Sequence, residues 1–191
     1  MVSGQLASMQ RALCRQQAVV KVFPMRESEL LRTQSAQIDV RELSSDETAL
    51  AYDPMAELRP DVGPIERFVA VINDVQRPEG YRLVASFRSD ADRPSAVLGF
   101  RVGHSLAWGR HLYIDDLVTV VDERRKGHAS ALLNWAEAEV YRQHCDQLHL
   151  DSGTARQEAH RLYFARGLRI TAFHFAVVAH PTDGAWAGGD G

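Results

Sequence analysis

The stretch HLYIDDLVTVVDERRKGHASALL, His111–Leu133, reads as one strand, one short basic loop and one helix in immediate succession. Leu112, Tyr113 and Ile114 before the two aspartates, and Leu117-Val118-Thr119-Val120-Val121 after them, form a β-branched-rich run too apolar for an edge strand. Asp122 to Lys126 is loop, and Gly127 stands where the chain turns into a helix. Ala129, Leu132, Leu133, Ala136 and Val140 then fall on one buried face. The unpaired N–H groups of that helix start and the positive end of its dipole point back into the loop, which makes a seat for phosphate. Arg124, Arg125 and Lys126 add positive charge, while Gly127 and Ala129 let an anion approach the backbone closely.

Outward from this unit, Gln37 onward gives a first strand with Ile38, Val40 and Leu43, and Ser44-Ser45-Asp46-Glu47 forms a capping box that opens a helix. Pro54 and Pro60 are expected to break that helix early. Gly63-Pro64 starts another, with Ile65, Phe68, Val69, Ile72 and Val75 on one face. Tyr81, Leu83, Ala85 and Phe87 alternate with Arg82, Ser86 and Arg88 as a half-buried strand, and Ala96 to Trp108 gives the next, with Gly99 and Gly103 inside it. Short turns between these strands predict antiparallel pairing. Strand 111–121, helix 128–143 and strand 147–151 form a crossover, so those two strands are predicted to be parallel. A helix from about Ala155 to Arg166 ends at Gly167, and Ile170 to Ala179 is expected as a last strand. The fold class is therefore α/β (α+β), a mixed, mostly antiparallel sheet flanked by helices. Residues 1–36 read as an N-terminal extension, 37–180 as one domain and 181–191 as a flexible tail.

The hexapeptide Arg124-Arg125-Lys126-Gly127-His128-Ala129 resembles the Arg/Gln-x-x-Gly-x-Gly/Ala acyl-CoA signature of the GNAT superfamily of N-acetyltransferases. Downstream, the stretch from Ala159 to Leu168, AHRLYFARGL, is similar to the Ala-x-x-Leu-Tyr-x-x-x-Gly-Phe segment of the same family, at a fitting distance. The resemblance implies a twisted sheet in which two parallel strands splay apart around the pantetheine arm of acetyl-CoA, the cosubstrate. Carried over by position, the backbone of Leu117, Val118 and Thr119 would bond that arm. Arg124, Arg125, Lys126, Gly127, His128 and Ala129, with Ser130 beside them, would take the pyrophosphate. Tyr163 matches the family tyrosine that protonates the leaving thiolate; the competing reading is an ordinary amphipathic helix residue with its ring in the core. Where the family has asparagine seven residues before that tyrosine, this chain has Arg156, which would bind a CoA phosphate instead.

Asp115 and Asp116 require partners or water in so apolar a strand, and alternation sends them to opposite faces. Tyr-Ile-Asp-Asp-Leu-Val is similar to the Tyr-Leu-Glu-Asp-Phe-Phe stretch of polyamine acetyltransferases in this superfamily, which implies that Asp115 takes the proton of the acceptor amine. The bland alternative is that one or both aspartates merely pair with an arginine or cap a bulge. His128 and His160 read as surface or supporting residues, and His144, Cys145 and His149 lack metal-ligand spacing, so no metal is expected.

The reading is thus an acetyl-CoA-dependent N-acetyltransferase acting by direct transfer to a primary amine of a small molecule or protein; the alternative is a non-catalytic acyl-CoA-binding or regulatory module. A net charge of -3 and a single three-residue basic run argue against nucleic acid as partner. No apolar run approaches the ~20 residues of a membrane span. Two distant cysteines, Cys14 and Cys145, fit free thiols in a reducing cytoplasm. A homodimer is compatible with all of this.

Overall fold

The computed structural model describes residues 38–177. The expectations for residues 1–36 and for the tail after Pro181 lie outside the described residues.

Five strands form one sheet in chain order: β1 Ile38–Leu43, β2 Arg82–Arg88, β3 Ala96–Ser105, β4 Gly109–Thr119 and β5 Gln147–Leu150. The first three pairings are antiparallel and β4 with β5 is parallel, as the short turns and the crossover demand. Between β1 and β2, a 3-10 turn at Ser45–Ala51 leads into α1, Tyr52–Leu58, and then α2, Ile65–Ala70, which continues as a π-helical stretch over Val71–Gln76. The crossover helix α3 spans His128–Arg142, and α4 spans Gln157–Ala165.

The sheet is covered on both faces. Leu83, Ala85, Phe87, Val97 and Val118 point one way, onto Ala51, Met55, Phe68 and Ile72 of the segment between β1 and β2. Val84, Leu98, Phe100, Leu112 and Ile114 point the other way, onto Leu132, Leu133 and Ala136 of α3. Each cluster is continuous and closed to water, so apolar burial holds the strands in register.

Several expectations are corrected. β2 is not half-buried: Leu83 to Phe87 are all buried, Ser86 included, because helices cover both its faces. Pro54 does not break α1, for it stands in the first turn, where no helical N–H is required. Phe68 and Ile72 face the core, but Ile65 and Val75 at the two ends of the expected stripe are exposed, Val75 within the π-helical stretch whose wider turn departs from the i, i+3, i+4 spacing. The last strand, expected from Ile170, is not found among the described residues. Residues 168–177 carry no regular secondary structure, and Ile170, Phe173 and Phe175 are exposed. The alternation of a strand is present there, but a strand needs a partner, and no described residue supplies one.

Candidate active site

β4 is paired to β5 only from His111–Gln147 to Ile114–Leu150. Beyond that point β4 runs on to Thr119, and among the described residues it pairs with β3 alone, which leaves its other edge without a described partner strand from Asp115 onward. Arg124 Nε reaches the Thr119 carbonyl at 3.2 Å and Arg59 Nη2 the Asp115 carbonyl at 3.3 Å, which shows that these groups point away from β3. By the strand period, the backbone of Leu117 lies on the same free edge, and that of Val118 turns toward β3. The buried Thr119 Oγ1 has no hydrogen-bond partner among the described residues. Strand backbone on this edge that pairs with no described strand suits an extended amide-bearing ligand, as the pantetheine arm of acetyl-CoA is.

The open edge leads into the basic loop and α3. Gly127 has φ 98°, in the left-handed region, and Arg125 also has positive φ at 62°. The first backbone hydrogen bond of α3 runs from Ala131 N–H to Gly127 C=O, leaving the amides of His128, Ala129 and Ser130 without helical acceptors. Arg124, Arg125, Lys126 and Gly127 are exposed beside them, so the donors and charges expected for a diphosphate converge here. Two of the three cations already have partners. Lys126 lies 3.1 Å from Glu123, and Arg124 lies 3.7 Å from Glu57 of α1.

The His128 side chain takes a supporting place beneath the loop. The residue is 2% exposed, and its ring is turned inward between Ser86 Oγ at 3.0 Å and Glu123 Oε2 at 3.5 Å. Burial lowers its pKa, with Glu123 pulling the other way. Serine, histidine and glutamate together brace the loop from beneath.

The two aspartates do not point to opposite faces. The β3–β4 register slips between Gly99 and Phe100: Gly99 opposes Asp116, Phe100 opposes Ile114, and Asp115 is the extra residue of a β-bulge. The slip brings both carboxylates to the face covered by α1. Asp115 Oδ2 accepts from Arg101 Nε at 3.0 Å, and its Oδ1 receives no hydrogen bond from a described residue. Asp116 Oδ1 accepts from Arg59 Nε and Nη2 at 3.1 and 2.9 Å, and Oδ2 from the Tyr81 hydroxyl at 2.8 Å. Burial raises the pKa of Asp115, Arg101 lowers it, and the charge of Asp116 raises it again. A carboxyl so placed holds a proton more readily than an exposed one, as a base for an ammonium group must.

Tyr163 on α4 stands half-buried on the opposite face, against the apolar cluster that also receives Leu117 and Leu150 from either side of the strand gap. Burial raises the pKa of its hydroxyl, with Arg156 acting against it, so the proton stays on oxygen at neutral pH. Arg156 is exposed at the N-terminal cap of α4. His160 bonds Ser152 at 3.1 Å. Among the described residues no three His, Cys, Asp or Glu side chains come together as a metal site, and no helix is long and apolar enough to cross a membrane.

The residues missed by the sequence are Arg59, Tyr81 and Arg101, which come from three different elements and converge only through the bulge. Gly99 was the available signal, since glycine inside a strand marks a bulge or a close approach.

The model of the acetyltransferase (GNAT) family matches residues 44–168. The uncharacterized N-acetyltransferase YhdJ of Bacillus subtilis (strain 168) is 33% identical over 140 residues, 72% of this chain and 96% of that protein. Among solved structures, a Trypanosoma brucei acetyltransferase superposes with a TM-score of 0.64 at 17% identity, over 75% of this chain and 100% of its own. The aminoglycoside N-acetyltransferase AAC(6')-Iy, in complex with CoA, superposes with a TM-score of 0.64 at 10% identity, over 80% of this chain and 100% of its own.

Proposed function

This chain belongs to the acetyltransferase (GNAT) family, and from that premise we propose that it moves the acetyl group of acetyl-CoA directly to a primary amine, of a small molecule or a protein, in a ternary complex. The observation that carries this reading is the parting of β4 from β5 after Ile114 and Leu150, with Asp115 on one face of the gap and Tyr163 on the other.

In this reading the free edge at Leu117 and Thr119 aligns the pantetheine amides, with Val118 packed beneath. The amides of Gly127, His128, Ala129 and Ser130, with Arg124, Arg125 and Lys126, take the diphosphate, and Arg156 takes a further phosphate. The complex of AAC(6')-Iy with CoA supports the choice of ligand. The thioester carbonyl then lies in the gap. The acceptor enters as an ammonium from the α1 face, drawn by Asp115 and Asp116. Oδ1 of Asp115 takes one of its protons, directly or through water, and the freed lone pair attacks the thioester carbon. The carbon–sulfur bond breaks as the tetrahedral oxyanion collapses, the departing sulfur receives the Tyr163 hydroxyl proton from the other face, and the second proton of the attacking nitrogen leaves through water and restores that hydroxyl. The products are an N-acetyl amine and CoA.

The test is thiol release from acetyl-CoA with a fixed panel of 1,4-diaminobutane, lysine ethyl ester and tyramine. Amine-dependent CoA release in parent protein, lost in Asp115→Asn, supports direct transfer. A burst of CoA before amine is added, with acetyl on the protein, would contradict it.

A further inference from the structure

Resting on the reading of Asp115 as base, we propose that Tyr81 is a positioning residue: its hydroxyl and the Arg59 guanidinium occupy both oxygens of Asp116, so that Asp115 alone offers a free oxygen to the acceptor amine.

The geometry is specific. Tyr81 is 2% exposed, immediately before β2, and its ring runs beneath β3 to the bulge. It has room only because residue 99 is glycine; a β-carbon there would collide with the Tyr81 hydroxyl and ring. The bulge lies between Gly99 and Phe100 opposite Asp115 and Asp116, so one glycine serves both the register slip and the seat of the tyrosine. Burial and the Asp116 charge both raise the Tyr81 pKa, so its proton remains available to Asp116. Arg59 joins the lock from the end of α1 and also donates to the Asp115 carbonyl, fixing the backbone of the bulge.

The two acids therefore have different tasks. Asp116 is fully bonded and lends its charge to its neighbour. Asp115 is held through Oδ2 by Arg101, which also lies 3.7 Å from Glu79, and its Oδ1 receives no hydrogen bond from a described residue. The groups acting on Asp115 are Arg101 from β3, Arg59 from α1, Asp116 and Tyr113 from β4, and Tyr81 through Asp116.

The experiment needs no acceptor. Carboxyl carbon-13 resonances of aspartate-labelled protein, with Asp115 assigned by its loss in Asp115→Asn, are followed through a pH titration in the parent, Tyr81→Phe and Asp116→Asn. Removing the Asp116 charge should lower the Asp115 midpoint by about half a pH unit or more. Tyr81→Phe keeps the charge but frees Asp116 to turn away, and should lower the midpoint in the same direction by less. A midpoint equal to the parent in Tyr81→Phe, whatever its melting temperature and whatever Asp116→Asn does, would overturn the assignment, because a purely structural tyrosine changes stability and leaves the titration alone. Failure of the underlying reading looks different: Asp115→Asn would then transfer acetyl to the amine panel at the parent rate.

Discussion

Arg101 and Asp115 form a one-sided pair: Nε of the arginine donates to Oδ2 across 3.0 Å, and no described residue donates to Oδ1. The arginine makes the carboxylate a weaker base than burial alone would, and it fixes the direction of the remaining lone pairs.

Replacing Arg101 with glutamine removes a positive charge that lowers the Asp115 pKa. Because the base works deprotonated, the acid limb of the kcat/KM profile should move to higher pH, with loss of activity on its acid side. Asp115→Asn should lower kcat by about 100-fold or more at neutral pH, measured by thiol release, with acetyl-CoA binding unchanged.

Gly127→Ala should weaken the cofactor site through the backbone. A β-carbon there meets only Ile38 Cδ1 at 3.5 Å, an ordinary contact, so the penalty comes from φ 98° rather than from a clash. Left-handed backbone costs an alanine about 1–2 kcal/mol. If the loop relaxes to escape it, the KM for acetyl-CoA should rise several-fold while kcat at saturation holds. Equal KM values would remove the loop from the cofactor site.

Tyr163→Phe should lower kcat with little change in acetyl-CoA affinity, because its hydroxyl is needed only as the carbon–sulfur bond breaks. Equilibrium binding of CoA to the variant, set beside its turnover, separates the two effects.

His128 and Ser86 tie the loop to the core, and this tie is pH-dependent. The folded-state pKa of His128 lies below its usual value because the buried ring resists charge. A group depressed in this way contributes stability above its unfolded pKa, and that contribution is lost as pH falls through the folded value. The melting temperature should therefore drop between neutral pH and about pH 5 more steeply in the parent than in His128→Asn. Parallel curves would mean that the ring carries no part of the acid sensitivity.

The order of elements was legible because it rests on local signals. Strand, Gly127 turn and amphipathic helix over residues 111–142 follow from periodicity, and a parallel neighbour from the crossover. What stayed hidden depends on two segments at once. The faces of Asp115 and Asp116 follow from a register slip that alternation within one strand does not contain, and Ser86 is buried because His128, 42 residues away, needs its hydroxyl. Residues 170–177 show the converse, a strand's alternation without a strand, because pairing belongs to the neighbour as much as to the segment.

Acetyl-CoA seated along the free edge of β4, with its diphosphate on the start of α3, is the point from which every other role follows. Isothermal titration of the folded protein with CoA and with acetyl-CoA tests it most directly. One saturable site per chain for each, weakened in Gly127→Ala and preserved in Asp115→Asn, is the predicted result; no heat of binding from either ligand, in protein shown to be folded, would contradict it.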